Sequence, residues 1–235
     1  HHLFDVAIRV WDEENGLWAP VRPWVTAWED WGSNFFVGHV IRAISPNRDA
    51  IERALRDALS KTNGRAPSHI VVDNGKDYKA RGLFKPGSVP SVVDPVLSDP
   101  DQERMQSIGQ ALGVKVHFCL PYNARSKPIE RQFLDVCRRF SKLFSSYRGS
   151  NPMERPERAH EEWKNPDKLP TLEEFSLAFA RWLALGHHST PSQAPHMGGK
   201  TPLQIRAAAG LELRPRLEAM QIYKAFLREA PGERV

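Results

Sequence analysis

Two carboxylates carry the chemistry that this sequence offers. Asp73 lies in "VVDNGKDYKA" and Glu130 in "NARSKPIERQF", about 57 positions later. Both are hard oxygen donors, and no histidine–cysteine cluster stands near either, so the metal they suit is Mg²⁺ or Mn²⁺. Two such ions about 3.5–4 Å apart activate an attacking oxygen and stabilise the leaving oxygen of a phosphodiester. Asp73-Asn74-Gly75 also has the composition of a tight turn. A hairpin needs a second strand at once, however, and "KDYKARGLFKPGS" makes a poor one. That favours a site at Asp73 over a turn. Glu130 sits beside Pro128, a residue suited to a first helical turn, with Ser126 or Lys127 near the cap. A first-turn glutamate also suits the helix dipole on its own account.

The charge around Glu130 narrows the substrate. Arg125, Lys127, Arg131, Arg138, Arg139, Lys142 and Arg148 face only Glu130 and Asp135 within residues 125–148. Seven cations less two anions give +5, the formal net charge of all 235 residues. A basic helix beside carboxylates points to a phosphate backbone as partner. A solvated helix face remains the alternative for Arg138, Arg139 and Lys142. The chain has no Ser/His/Asp arrangement, Walker motif or GxGxxG. His187-His188 and His196 fall in a loop-like stretch without partner cysteines, which reads as surface or DNA-facing histidine rather than zinc ligation.

These residues need elements to hold them. Residues 3–10 alternate, with Phe4, Val6, Ile8 and Val10 on one face. Residues 21–30 and 34–44 follow as strands, joined at Trp31-Gly32-Ser33. The three read as an antiparallel meander. "SPNRDAIERALRDALSKTNG" is a helix with Ile51, Leu55 and Leu59 on its stripe and Asn63-Gly64 at its end. "PSHIVVDNG" and "VKVHFCLP" are strands entered through helices, an arrangement that pairs in parallel. "DPDQERMQSIGQALG" is the helix between them, after a Pro- and Gly-rich loop at 79–100. "SKPIERQFLDVCRRFSKLF" is amphipathic, with Ile129, Phe133, Val136, Cys137, Phe140, Leu143 and Phe144 on one stripe. A polar linker at 151–170 leads to helices in "TLEEFSLAFARWLALG" and "TPLQIRAAAG". Trp24/Trp28 and Phe35/Phe36 read as core pairs.

The order predicts an α/β fold: a ribonuclease-H-like mixed five-stranded sheet, three strands antiparallel then two parallel, with helices on both faces. Periodicity alone allows other α/β folds. Residues 1–150 are expected to form the catalytic core, 151–210 its helical extension, and 211–235 the start of a following domain. The 40% hydrophobic and 26% charged composition reads as a globular rather than a disordered chain. No apolar run approaches the roughly 18 residues of a membrane span, and no signal peptide is visible. Cys119 and Cys137 lack ligand spacing, which predicts buried thiols in a reducing compartment.

"VVDNGKDYKA" and "PYNARSKPIERQF" together resemble the catalytic core of DDE transposases and retroviral-type integrases, most of all the phage Mu transposase group. "RPWVTAWEDWGSNFFVGHVI" resembles that group's second and third strands, and "GGKTPLQ" the segment closing its core. The likeness runs from residue 3 to about 210. It implies two divalent metals held by Asp73 and Glu130, nicking at transposon or prophage ends, and joining of the 3′-OH to target DNA. It further implies that Lys76, Asn123, Arg125, Lys127 and Arg131 contact DNA. Asn74 and Gly75 would shape the loop. The expected partners are DNA and further copies in a synaptic multimer, with no membrane. The expected setting is cytoplasmic, nucleoid-associated or in the host cell of a phage. The family's first Asp is expected either at Asp5 or upstream of His1; in the second case the present stretch alone should be inactive. Asp30 matches an acidic position of such second strands without a catalytic role. Two other readings fit the same residues: a nuclease of this fold that does not join ends, and a degenerate core retained for DNA binding or assembly.

Overall fold

The structure is a computed structural model that describes residues 1–72, 108–118, 128–149, 161–210 and 214–226. The chain divides into two compact units, one formed by His1–Ala58 with Lys127–Gly210, the other by Leu59–Ser126 with Leu211–Val235.

The first unit is built on a three-stranded antiparallel sheet in the order β1-β4-β5, from β1 (His2–Leu3), β4 (Trp24–Asp30) and β5 (Phe35–Arg42). Alternation, reset by a β-bulge where the register shifts between Trp28 and Glu29, decides the two faces of this sheet. Val25, Ala27, Phe36 and Ile41 point into a core shared with Phe133, Val136, Phe140, Phe175 and Phe179. Those last five come from α3 (Pro128–Asp135) with its π-type continuation (Val136–Phe140), and from α4 (Leu172–Trp182). Trp28 and Gly38 pair on the opposite face, which carries α1 (Arg48–Lys61). Trp28 Nε1 donates to the Ile51 carbonyl at 3.4 Å. A Cβ on Gly38 would stand 2.4 Å from both Ala54 O and Ala58 N, so glycine alone lets helix and strand approach this closely. Capping boxes start α4 at Thr171/Glu174 and α5 (Pro202–Ala208) at Thr201/Gln204, each satisfying orphan N–H groups.

The expected single five-stranded sheet is not formed. The described residues make sheets of three, two and two strands. Two local causes split the N-terminal half. Pro23 interrupts the expected strand at 21–30, leaving β3 (Leu17–Val21) before it and β4 after it. Residues 4–7 of the expected first strand find hydrogen bonds elsewhere. Phe4 N donates to Pro23 O at 3.0 Å, Arg148 N to Asp5 O at 2.8 Å, and Ser146 Oγ to Ala7 O at 2.9 Å. These backbone groups of Phe4, Asp5 and Ala7 are satisfied outside any strand ladder. The predicted inward face survives, since Phe4, Val6 and Ile8 are fully buried. From Ile8 onward the chain pairs with β3 instead, making a two-stranded antiparallel ribbon of β2 (Ile8–Asp12) and β3.

In the second unit β6 (His69–Val72) pairs with β7 (Lys115–Phe118) in parallel, as two helix-entered strands should. This pair forms a sheet of its own. β6 alternates, with Ile70 and Val72 buried. α2 (Ile108–Ala111) packs on α6 (Ala219–Phe226). Gly64, at φ +76°, ends α1 and accepts Leu217 N at 3.0 Å. No described helix is long and apolar enough to cross a membrane.

Candidate active site

Glu130 lies in the first turn of α3, which begins at Pro128. The helix buries Phe133, Val136 and Phe140, with Ile129 packed against that core. Glu130, about 100° further round from Ile129, is therefore exposed, as is Arg131. Asp73, Lys76, Asn123, Arg125 and Lys127 lie outside the described residues.

The described part of the basic run separates into two kinds. Arg139 is paired with Asp135 at 3.4 Å, and Arg148 stacks over Trp163 at 4.0 Å. Arg131, Arg138 and Lys142 are exposed and have no hydrogen-bond or ion-pair partner among the described residues. Those three remain available to a ligand. Among the described residues no group of three or more histidine, cysteine or acidic side chains is placed to hold a metal ion.

Asp5 occupies the bend after β1 and is ion-paired with Arg22 Nη2. Arg22 Nε also donates to Phe4 O at 2.8 Å, so the arginine ties the bend to the start of β4. Burial raises the Asp5 carboxyl above its ordinary range, with Arg22 pulling the other way. Cys137 is a buried free thiol, pushed up to about 11 by burial first and by Asp5 second. His2, whose Nε2 lies 3.0 Å from Cys137 Sγ, is pushed down to about 4, chiefly by burial. The contact is thus between a neutral thiol and a neutral imidazole, not a reactive ion pair. Cys119 lies outside the described residues.

His187 and His188 are not on the surface; they are 6% and 7% exposed. The π-type turn Leu183–His187 that continues α4 turns both inward against the end of β5. His187 contacts Asp135 Oδ2 at 3.4 Å through Nδ1 and Asn34 O at 3.1 Å through Nε2. His188 Nε2 accepts Phe36 N–H at 3.2 Å, and its ring stacks on Phe35 at 3.6 Å. Burial alone would raise Asp135; the His187 hydrogen bond and the Arg139 charge outweigh it and hold the carboxyl below its usual value. His196 is exposed. Of the aromatic pairs, Phe36 is core, while Trp24, Trp28 and Phe35 are half-buried. Asp30 accepts Ser33 Oγ and faces Arg206 at 3.7 Å, a structural role.

Sequence reasoning missed Glu29. It follows Val25 and Ala27 on the inward face of β4 and pairs with Phe36. Both carboxyl oxygens are buried and have no hydrogen-bond partner among the described residues. Burial, helped by neighbouring Asp30, pushes its pKa up to about 8. The signal was its place in the alternation, which puts position 29 on the same side as two core residues.

No protein-family model matches this sequence, and comparison with curated proteins finds no match. Among solved structures the chain has a distant likeness to one described as the simian T-cell lymphotropic virus intasome in complex with PP2A regulatory subunit B56 gamma. The identity is 16% and the TM-score 0.44, over 91% of this chain and 55% of that one. The present chain therefore spans about half the length of the solved chain it matches.

Proposed function

We propose that this chain is the core of a metal-dependent DNA transposase or integrase that nicks DNA ends and joins them to a target. The observation that carries the reading is the setting of Glu130. It is an exposed carboxylate in the first turn of a helix whose outer side also presents Arg131, Arg138 and Lys142. The sequence blocks around Asp73 and Glu130 add the second carboxylate.

In this reading Asp73 and Glu130 would hold Mg²⁺ or Mn²⁺, which supplies charge stabilisation at the attacking and leaving oxygens of the phosphodiester. Their hard oxygen donors fit such ions. Asp5 fits less well as a third ligand, because Arg22 already neutralises it. The chain's own residues do the positioning. Arg131, with Lys76, Asn123, Arg125 and Lys127, would hold the phosphate backbone so that the scissile bond lies against the carboxylates. The wider assignments belong to the same proposal: DNA as partner, and a multimer assembled on it.

The test is Mn²⁺-dependent nicking and strand joining by the full-length protein, beside Asp73→Asn and Glu130→Gln. Nicked and joined products from the parent alone support the reading. Nicking without joining makes the protein a plain nuclease. Equal behaviour of all three removes the carboxylates from any catalytic role.

A further inference from the structure

The far end of the β2–β3 ribbon holds large apolar side chains in water: Trp11 is 49%, Leu17 51% and Trp18 36% exposed. Trp11 and Trp18 face each other across the ribbon, edge to face, at 5.5 Å. The ribbon is rooted at its other end, where Ile8 is fully buried and Arg9 N donates to Pro170 O at 2.9 Å.

Its tip is fixed by its own hydrogen bonds. Asp12 Oδ1 accepts Glu14 N at 3.0 Å and Asn15 N at 3.3 Å, and Oδ2 accepts Asn15 Nδ2 at 2.7 Å. These bonds hold the Asp12 carboxyl below its usual range. Gly16, at φ +63°, closes the turn by donating to Asp12 O at 2.8 Å. An exposed aromatic face held this firmly loses little entropy when something covers it. Tryptophan is also among the residues that most often anchor interfaces.

Charge identifies what would cover it. Asp12, Glu13 and Glu14 give the tip −3, while the nearest cation of the ribbon, Arg9, stands over the Trp18 ring at 5.0 Å and is ion-paired with Asp167 at 3.8 Å. That repels a phosphate backbone. The complement lies on the same unit. Arg131, Arg138 and Lys142 carry +3 along the outer side of α3 and its continuation against one exposed acid, Glu130, and Leu134 and Leu143 are 46% and 69% exposed there.

We propose that the β2–β3 tip of one copy docks on the Arg131/Leu134/Arg138/Lys142 stripe of a second copy. Apolar contacts would form the centre and opposite charges the rim. A reciprocal exchange makes the same contact twice about a two-fold axis and closes a dimer. The contact covers cations that the proposed DNA surface uses, so DNA and the second copy compete for the stripe. The proposal needs neither Asp73 nor a metal.

Charge exchange tests it, with mass measured by light scattering on the full chain. The parent should dimerise at tens of micromolar in about 50 mM NaCl and weaken at least tenfold at about 500 mM. Trp11→Ala with Trp18→Ala should remove the dimer. So should Glu13→Lys with Glu14→Lys, and Arg138→Glu with Lys142→Glu, each alone. Mixing these two charge-reversed proteins should restore a dimer containing one copy of each, since both reciprocal contacts become attractive again. A parent monomeric at about 200 µM in low salt, or a mixture that stays monomeric, overturns the proposal. It is equally overturned if the tryptophan variant weakens DNA binding with no change in mass, which makes the ribbon a nucleic-acid surface.

Discussion

Among the described residues, Glu29→Gln isolates the titration furthest from its ordinary value. The native carboxyl has its pKa at about 8, against 4.5 for an unperturbed glutamate. The native state therefore holds the proton more tightly than the unfolded chain. The stabilisation is fully present below about pH 4.5 and is lost as pH rises through the folded value. Between those limits stability falls by about 1.4 kcal/mol per pH unit, or up to about 5 kcal/mol in all. Water reaching the charged form would reduce that upper limit. His2 works in the opposite direction. Its folded pKa of about 4 lies below the ordinary 6.5, so the unfolded chain takes the proton first and stability rises with pH between those values. The parent's own pH profile mixes the two effects. The difference between parent and Glu29→Gln does not, because glutamine cannot ionise. Urea denaturation of both proteins at several pH values from about 5.5 to 8 should show the parent losing about 3 kcal/mol relative to the variant. At roughly 3 °C per kcal/mol, thermal melts should converge or cross by about 10 °C over that range. A parent–variant difference independent of pH refutes the reasoning, since it means that Glu29 is solvated or charged in the native state.

Two further predictions follow from close packing and from the ion pair. Gly38→Ala should destabilise the first unit by about 2–4 kcal/mol, because its Cβ meets the backbone of α1 and not a yielding side chain; unchanged urea denaturation would contradict the approach of β5 to α1. Asp5→Asn should cost about 1–2 kcal/mol by leaving Arg22 without its counter-ion in a partly buried place, while Mn²⁺ binding by calorimetry stays as in the parent. Loss of Mn²⁺ binding would instead make Asp5 a metal ligand.

Local pattern determined a good deal of this protein. The alternation placed Phe4, Val6 and Ile8 inward, where they are fully buried even though the strand itself is broken, but Ala7 between them is buried as well and Val10 only half-buried. The stripe through Ile129, Phe133, Val136, Cys137 and Phe140 predicted the inward side of α3 and its continuation, and with it the exposure of Glu130 and Arg131, but Leu143 of the same predicted stripe is 69% exposed. Helix entry predicted the parallel pairing of β6 with β7. These features are local because side-chain period and backbone direction follow from neighbouring residues. Asp73 was singled out by the same local reasoning and lies outside the described residues. Tertiary structure decided the rest. Strand partners depend on which backbone groups are already satisfied, and the distant Arg148 and Ser146 satisfied the carbonyls of Asp5 and Ala7. The burial of His187 and His188 and of Asp5 against Arg22 likewise depends on partners from 17 to more than 150 residues away. A sequence period states that a side chain turns inward; only the packed fold supplies the group it meets there.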